Sequence, residues 1–153
     1  MDVCKIEPGI YHYTAIDDCS RFKILHTYQR RTTTNSIDFL DRVLEQFVYL
    51  IQGIQTDRGR EFFAYCFQEK LREYCIKFRP IKPRSSHLNG KVERSQQTGL
   101  QEFYRTADLK DPALNDRLAE WQFYYNYQAP QFITRQNASP SRSREISRLP
   151  ILG

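Results

Sequence analysis

The chain is 153 residues long, enough for one domain with its own core and too short for two. It is 40% hydrophobic and 27% charged, a soluble globular composition, and no apolar stretch nears the roughly 20 residues of a spanning helix, which argues against a membrane protein. The net charge of +5 keeps nucleic acid among the candidate partners, and its placement matters more than its sum.

That charge is concentrated in two places. Ala129 to Gly153 carries four arginines and one glutamate. Within the body, Lys77, Arg79, Lys82, Arg84, Lys91 and Arg94 face the single acid Glu93 across the stretch 77–95. The opening Met1-Asp2-Val3-Cys4-Lys5-Ile6-Glu7 puts charge where a signal peptide needs an apolar segment, so a cytoplasmic location is expected. Cys4, Cys19, Cys66 and Cys75 lack the short paired spacing of a zinc site and are expected to be reduced.

The chain opens with a short strand candidate, Asp2 to Ile6, closed by the Pro8-Gly9 turn. Tyr11 to Ile16 and Phe22 to Tyr28 alternate in polarity around the turn formers Asp17-Asp18-Cys19-Ser20, the pattern of a β-hairpin. Three antiparallel strands follow. Ile37, Leu40, Val43, Leu44 and Phe47 recur at helical spacing after Thr33 and Thr34, predicting a capped helix from Thr34 to Gln46. Val48 to Gln55 is a short apolar run ending at Thr56-Asp57-Arg58-Gly59, suited to a buried strand. Glu61 to Tyr74 is again helical in period, and Ile76 to Ile81 alternates as a strand. After the Pro80 to Ser86 loop, Leu88 to Tyr104 and Pro112 to Tyr127 are two further predicted helices. The order predicts an α/β fold, a mixed sheet with helices on its faces.

Two carboxylates stand apart from the other acids. Asp57 ends a predicted strand beside Gly59, where a carboxylate can be held at a sheet rim for capping or for chemistry. Glu93 is the lone acid of the basic stretch and can serve as an ion-pair partner of Lys82, Lys91 or Arg94, or as a metal ligand. Phosphodiester attack needs a divalent cation on the attacking and leaving oxygens, and carboxylates from separate elements commonly form its cage. Asp2, Asp57 and Glu93 are candidates for such a cage, with the surrounding lysines and arginines holding DNA phosphates. His87 lies close to Glu93 and is a candidate DNA contact. His12 and His26 have no partner at ligand spacing. Trp121, Phe123, Tyr124, Tyr125 and Tyr127 crowd one helix and are expected mainly in the core.

The words Ala15-Ile16-Asp17-Asp18-Cys19-Ser20-Arg21, Gln55-Thr56-Asp57-Arg58-Gly59-Arg60-Glu61-Phe62 and Ser86-His87-Leu88-Asn89-Gly90-Lys91-Val92-Glu93-Arg94 together resemble the integrase core of bacterial insertion-sequence transposases, in the superfamily of retroviral integrases. Thirty-five residues lie between Asp57 and Glu93, the spacing of the D,D,E group. The resemblance covers Met1 to about Gln128. It implies an RNase H-like fold, three antiparallel strands plus two further strands with helices on both faces, and Mg2+ or Mn2+ held by Asp2, Asp57 and Glu93. It also implies DNA, both transposon ends and target, as partner, contacted by Lys82, Arg84, His87, Asn89, Lys91 and Arg94. The implied activity is metal-dependent DNA strand cutting and transfer, that is DNA integration, recombination and transposition, in a bacterial cytoplasm. A homo-oligomer or an intact transposase is a further implied partner.

The chain departs from that family in several places. Arg58 stands where members commonly have Asn, and one residue precedes Asp2, whereas the family's first aspartate lies inside its strand. Asp17 and Asp18 are the alternative first ligands, but they match the family's structural turn word. The resemblance also implies a helix-turn-helix segment ahead of the core that binds the element's ends, and the chain is expected to lack it. After Gln128 the family continues Arg-Pro-His-Ser-Ser-Leu-x-Gly-Lys-Thr, and back-translated codons from Gln128 read one base later spell that stretch. A frameshift near Gln128 is therefore expected, making 1–128 the core and 129–153 a disordered tail. The expectation is a transposase core fragment inactive alone. The alternatives are a non-catalytic DNA-binding or dimerising fragment that modulates an intact transposase, and an RNase H-like nuclease.

Overall fold

The computed structural model describes residues 1–82 and 102–128; the predicted helix entry around Asn89 to Glu93 and the 129–153 tail lie outside the described residues. The elements run β1 (Asp2–Glu7), β2 (Ile10–Ile16), β3 (Lys23–Tyr28), α1 (Thr33–Gln46), β4 (Gly53–Thr56), α2 (Arg60–Phe63), α3 (Tyr65–Glu73), β5 (Lys77–Pro80), helical residues 102–106 in α4, and α5 (Leu114–Tyr127). Among the described residues, no helix is long and apolar enough to cross a membrane.

β1, β2 and β3 form an antiparallel sheet in that order, while β4 and β5 form a parallel pair. The β1–β2 connection turns at Pro8-Gly9, and Gly9 takes φ +86°, a conformation that costs glycine little and other residues more. Asp2 pairs with Thr14 and Tyr13 with His26, so β2 is the central strand. The two sheets meet where the Met1 amino nitrogen donates to the Gln55 carbonyl at 2.6 Å. The Asp17 to Arg21 turn is structural: Asp17 Oδ2 accepts from the Ser20 amide at 2.9 Å, and Asp17 O accepts from the Arg21 amide at 2.8 Å. Arg21 itself takes φ +62° there.

Helices cover both faces of the antiparallel sheet. Tyr13, Ala15 and Ile24 point to one side and pack with Phe39, Leu40 and Val43 of α1 and Phe67 and Leu71 of α3, forming the main core. Leu25 points to the other side and packs with Phe103, Leu114 and Leu118. α1 begins as its composition dictates, with the Thr32 hydroxyl accepting from the Asn35 amide at 3.1 Å, one or two residues before the expected cap.

Three sequence expectations are corrected. The 48–55 run is strand only from Gly53, and Val48, Tyr49 and Leu50 are exposed. β5 offers only four residues to pair with, so the chain leaving α1 has no ladder partner until Gly53. The predicted helix from Glu61 to Tyr74 breaks at Ala64, whose ψ of 143° separates α2 from α3. The aromatic residues of α5 are only partly core: Trp121 packs against the Leu25 cluster, whereas Phe123, Tyr124 and Tyr127 are exposed.

The face of α5 that meets the sheet carries side-chain amides beside Leu114 and Leu118, and the reason for the amides lies in β3. β3 is an edge strand, so the outward amides and carbonyls of Lys23, Leu25 and Thr27 have no neighbouring strand. Side-chain amides of α5 take that neighbour's place. Lys23 N–H donates to Asn126 Oδ1 at 2.8 Å, and Asn126 Nδ2 returns a bond to Lys23 O at 2.7 Å. Leu25 N–H donates to Gln122 Oε1, and Thr27 N–H to Asn115 Oδ1, each at 2.8 Å. Positions 115, 122 and 126 are separated by seven and four residues, spacings that return to the same helix face. The four cysteines are free and exposed.

His12 sits on the same side of the sheet, buried, with Nδ1 sharing a 2.8 Å hydrogen bond with the Tyr104 hydroxyl. Burial, then the charges of Lys23 and His26, push its pKa from 6.5 down to about 3. Burial foremost also lowers His26 to about 4. Both imidazoles are thus neutral in the folded protein near neutrality.

Asn126→Ala should cost about 1–3 kcal/mol of folding stability, because it strands a buried N–H and a buried carbonyl of Lys23 together; urea unfolding of the two chains measures it. Acid should destabilise the fold well above the carboxylate range. Between pH 6.5 and about 3 the unfolded chain takes up a proton that folded His12 refuses, so stability falls as pH falls through that window. For His12 alone the loss reaches about 2 kcal/mol by pH 5. Unfolding curves at pH 7 and pH 5 should diverge accordingly, and His12→Gln should narrow the gap.

Candidate active site

β4 ends in a polar turn, and that turn carries Asp57. Thr56 is buried and its hydroxyl donates to the Asp57 carbonyl at 2.8 Å, fixing the backbone as the strand ends. Asp57 Oδ1 accepts from the Gly59 amide at 3.1 Å, an Asx turn that orients the carboxylate without help from other elements. The sequence placed Asp57 at a strand end, and it is there, with its side chain 31% exposed.

Asp2 lies on β1, as expected, with Oδ1 accepting from the Val3 amide at 2.8 Å. Asp2 and Asp57 come from different sheets, and the 2.6 Å bond from Met1 to Gln55 joins their strands. Burial pushes the Met1 amino group below its ordinary range, opposed by the negative charges of Asp2, then Asp57 and Asp18. Glu93, the third predicted ligand, lies outside the described residues, as do Arg84, His87, Asn89, Lys91 and Arg94. Lys82 is described and exposed, as are Lys77 and Arg79 on β5.

Sequence reasoning missed Arg31 and Glu61. Arg31 follows β3 and spans to the β4 turn, where its Nη2 lies 3.1 Å from Asp57 Oδ2 and its Nε 2.5 Å from Glu61 Oε1. Glu61 begins in the first turn of α2 and is buried, whereas Arg31 is a third exposed. Its hydrogen bonds with Glu61 and the charges of both acids outweigh partial burial and hold the guanidinium above its ordinary range. Gly59 is the residue that permits this arrangement: a Cβ there would fall 2.4 Å from Arg31 Nη2 and 2.5 Å from Glu61 Oε1. The signal available in sequence was the Asp57-Arg58-Gly59-Arg60-Glu61 word itself, in which Glu61 was read only as part of a helix. Arg58 points elsewhere, with its guanidinium 5.5 Å above the Phe63 ring.

The donor set suits a hard divalent cation. Carboxylate oxygens are the usual ligands of Mg2+, and a carboxylate has about four acceptor directions. Asp57 uses one for Gly59 and one for Arg31, which leaves directions for a cation. Among the described residues, no three His, Cys, Asp or Glu side chains gather as a metal site; two of the predicted three are described.

A family model described as an integrase core domain matches residues 1–86, and a second so described matches 74–131. A protein named as an integrase, ORF3 of Spiroplasma virus SpV1-C74, is 25% identical over 140 residues, covering 80% of this chain. The chain spans only 39% of that relative's length. A chain from the cryo-EM structure of the simian T-cell lymphotropic virus intasome in complex with the PP2A regulatory subunit B56 gamma superposes with a TM-score of 0.69 at 15% identity, covering 91% of this chain and 52% of the other. The HTLV-2 integrase catalytic core domain, solved as a dimeric form in complex with magnesium, gives 0.67 at 18% identity, with 84% of each chain covered. At these identities the structural likenesses establish the fold, which is that of integrase catalytic cores and hence RNase H-like.

Proposed function

Because the chain belongs to the integrase core domain family, matched over residues 1–86 and again over 74–131, we propose that it is the core of a DNA transposase or integrase that cuts and joins DNA strands with a divalent cation. The observation that supports this reading is the bond from the Met1 amino nitrogen to the Gln55 carbonyl, which joins the start of β1, where Asp2 lies, to the strand that ends one residue before Asp57. Asp2, Asp57 and Glu93 are the residues that would hold Mg2+ or Mn2+. Bound there, the cation supplies charge for the attacking and leaving oxygens of a phosphodiester.

The chain's own residues then have separate tasks. Asp57, braced by Gly59, presents its carboxylate in one orientation. Lys82, Arg84, His87, Asn89, Lys91 and Arg94 hold the DNA backbone, an assignment supported by the single acid among the basic residues of that stretch. Magnesium and a dimeric form, as in the HTLV-2 core, are the cofactor and assembly we propose for this chain. The intasome of the simian virus suggests a multi-subunit complex on DNA as the working unit, in which case the isolated chain works with a second copy or with an intact transposase.

Mn2+ or Mg2+ should raise the melting temperature of the chain, since a ligand bound only by the folded state stabilises it. Asp57→Asn and Glu93→Gln should each abolish that rise and any metal-dependent nicking of DNA, read on gels. A rise of equal size in both variants would place the metal elsewhere and defeat the catalytic reading. DNA binding by a chain that neither binds metal nor nicks would instead support the non-catalytic DNA-binding role. Lys91→Ala and Arg94→Ala should weaken binding to DNA of any sequence and each reduce the slope of log affinity against log salt by about one; filter binding over a salt series measures it.

A further inference from the structure

Arg31 is not needed to hold Asp57 in place. The Gly59 amide fixes Asp57 Oδ1 at 3.1 Å and the Thr56 hydroxyl fixes its carbonyl at 2.8 Å, both from the same turn. Arg31 has its own anchor on the other side, the buried Glu61 carboxylate 2.5 Å from Nε. A guanidinium is planar, so a fork seated on Glu61 through Nε has a fixed direction in which to present Nη2. That direction ends 3.1 Å from Asp57 Oδ2. Gly59 leaves room for the guanidinium and the Glu61 carboxylate to pass, and any side chain there would collide with both. The loop that carries Asp57 is thus shaped around a permanent positive charge.

We propose that Arg31 is a built-in counter-cation of the metal site: seated on Glu61, it competes with a divalent cation for Asp57 Oδ2 and so lowers the affinity of the site. This rests on the reading of Asp57 as a metal ligand. Two effects of removing Arg31 oppose each other. Losing a contact loosens Asp57 and weakens cation binding; losing a positive charge beside the ligand oxygen strengthens it. The second dominates, because Asp57 keeps its brace from Gly59, whereas Arg31 is the guanidinium in direct contact with the ligand oxygen. Arg31 is therefore a positioning residue whose main effect is electrostatic. A site with this device loads at higher cation concentrations than its carboxylates alone would require.

The test is a titration of Mn2+ against the full chain without DNA, following free Mn2+ by electron paramagnetic resonance. Arg31→Gln should bind Mn2+ three- to tenfold more tightly than the parent, and Arg31→Lys, which keeps the charge, should stay within twofold of it. Equal or weaker binding by Arg31→Gln would overturn the proposal and leave Arg31 as a purely structural ion-pair partner. Arg31→Gln strands the buried Glu61 carboxylate, so the pair Glu61→Gln and Arg31→Gln/Glu61→Gln is measured alongside. The double variant should bind more tightly than Glu61→Gln by the same factor, and a factor of one or less would again overturn the proposal. Asp57→Asn separates the two levels of inference: if it binds Mn2+ as the parent does, the metal reading fails, whereas loss of binding there with no gain in Arg31→Gln defeats the counter-cation alone.

Discussion

The exposed edge of β3 is the constraint on which the rest of the molecule turns. A sheet of three strands has a central strand and two edges, and the backbone groups of an edge must be paired if helices are to pack beside it. Here β3 is paired by side chains rather than by a strand, with Asn115, Gln122 and Asn126 standing in for a backbone ladder. That arrangement commits α5 to one orientation across the sheet. It covers the second face with Leu114 and Leu118, and β2 becomes buried along most of its length. The aromatic residues at 123, 124 and 127 are then turned outward, whatever their hydrophobicity.

The opposite edge is handled differently, and the candidate site is the result. β1 is joined to β4 through the residue ahead of it, by the bond from the Met1 amino nitrogen to the Gln55 carbonyl. The parallel β4–β5 pair is short, and Asp57 follows directly on the end of β4 while Asp2 opens β1. Polar groups there remain partly solvated, which permits Asp57 and Arg31 to be charged together without the desolvation cost of a fully buried pair. Glu61, by contrast, is buried, and its only described ion-pair partner is Arg31. The cost of burying that carboxylate is what makes the Arg31 position firm.

The electrostatic balance of such a site differs from that of a bare carboxylate cluster. Carboxylates that are to receive a doubly charged cation repel one another until it arrives, and a nearby guanidinium relieves that repulsion at the expense of affinity. Arg31 contributes from the end of β3, an element that carries none of the three candidate ligands. Basic residues on β5 and beyond, Lys77, Arg79 and Lys82, are exposed and bring further positive charge to the chain between β4 and the stretch holding Glu93.

Local pattern was enough for much of the fold. The alternation of β2 and β3, the apolar spacing of α1 and the turn formers at 17–20 each depend on residues a few positions apart, and each produced the element it foretold. The strand-end position of Asp57 was legible for the same reason, since a polar turn must follow a short apolar run. What failed had a common cause. Val48 to Leu50 are as apolar as a strand requires, but a strand exists only where a partner is available, and β5 supplies four residues. The aromatic crowd on α5 looked like core because sequence weighs hydrophobicity, whereas the sheet edge demanded hydrogen bonds and took the face with the amides. Arg31 lies 26 residues from Asp57 and carries no local mark of its role. Pairing distant charges and satisfying distant backbone groups are decisions of the tertiary structure, because the energy of a buried polar group depends on what faces it and not on what precedes it.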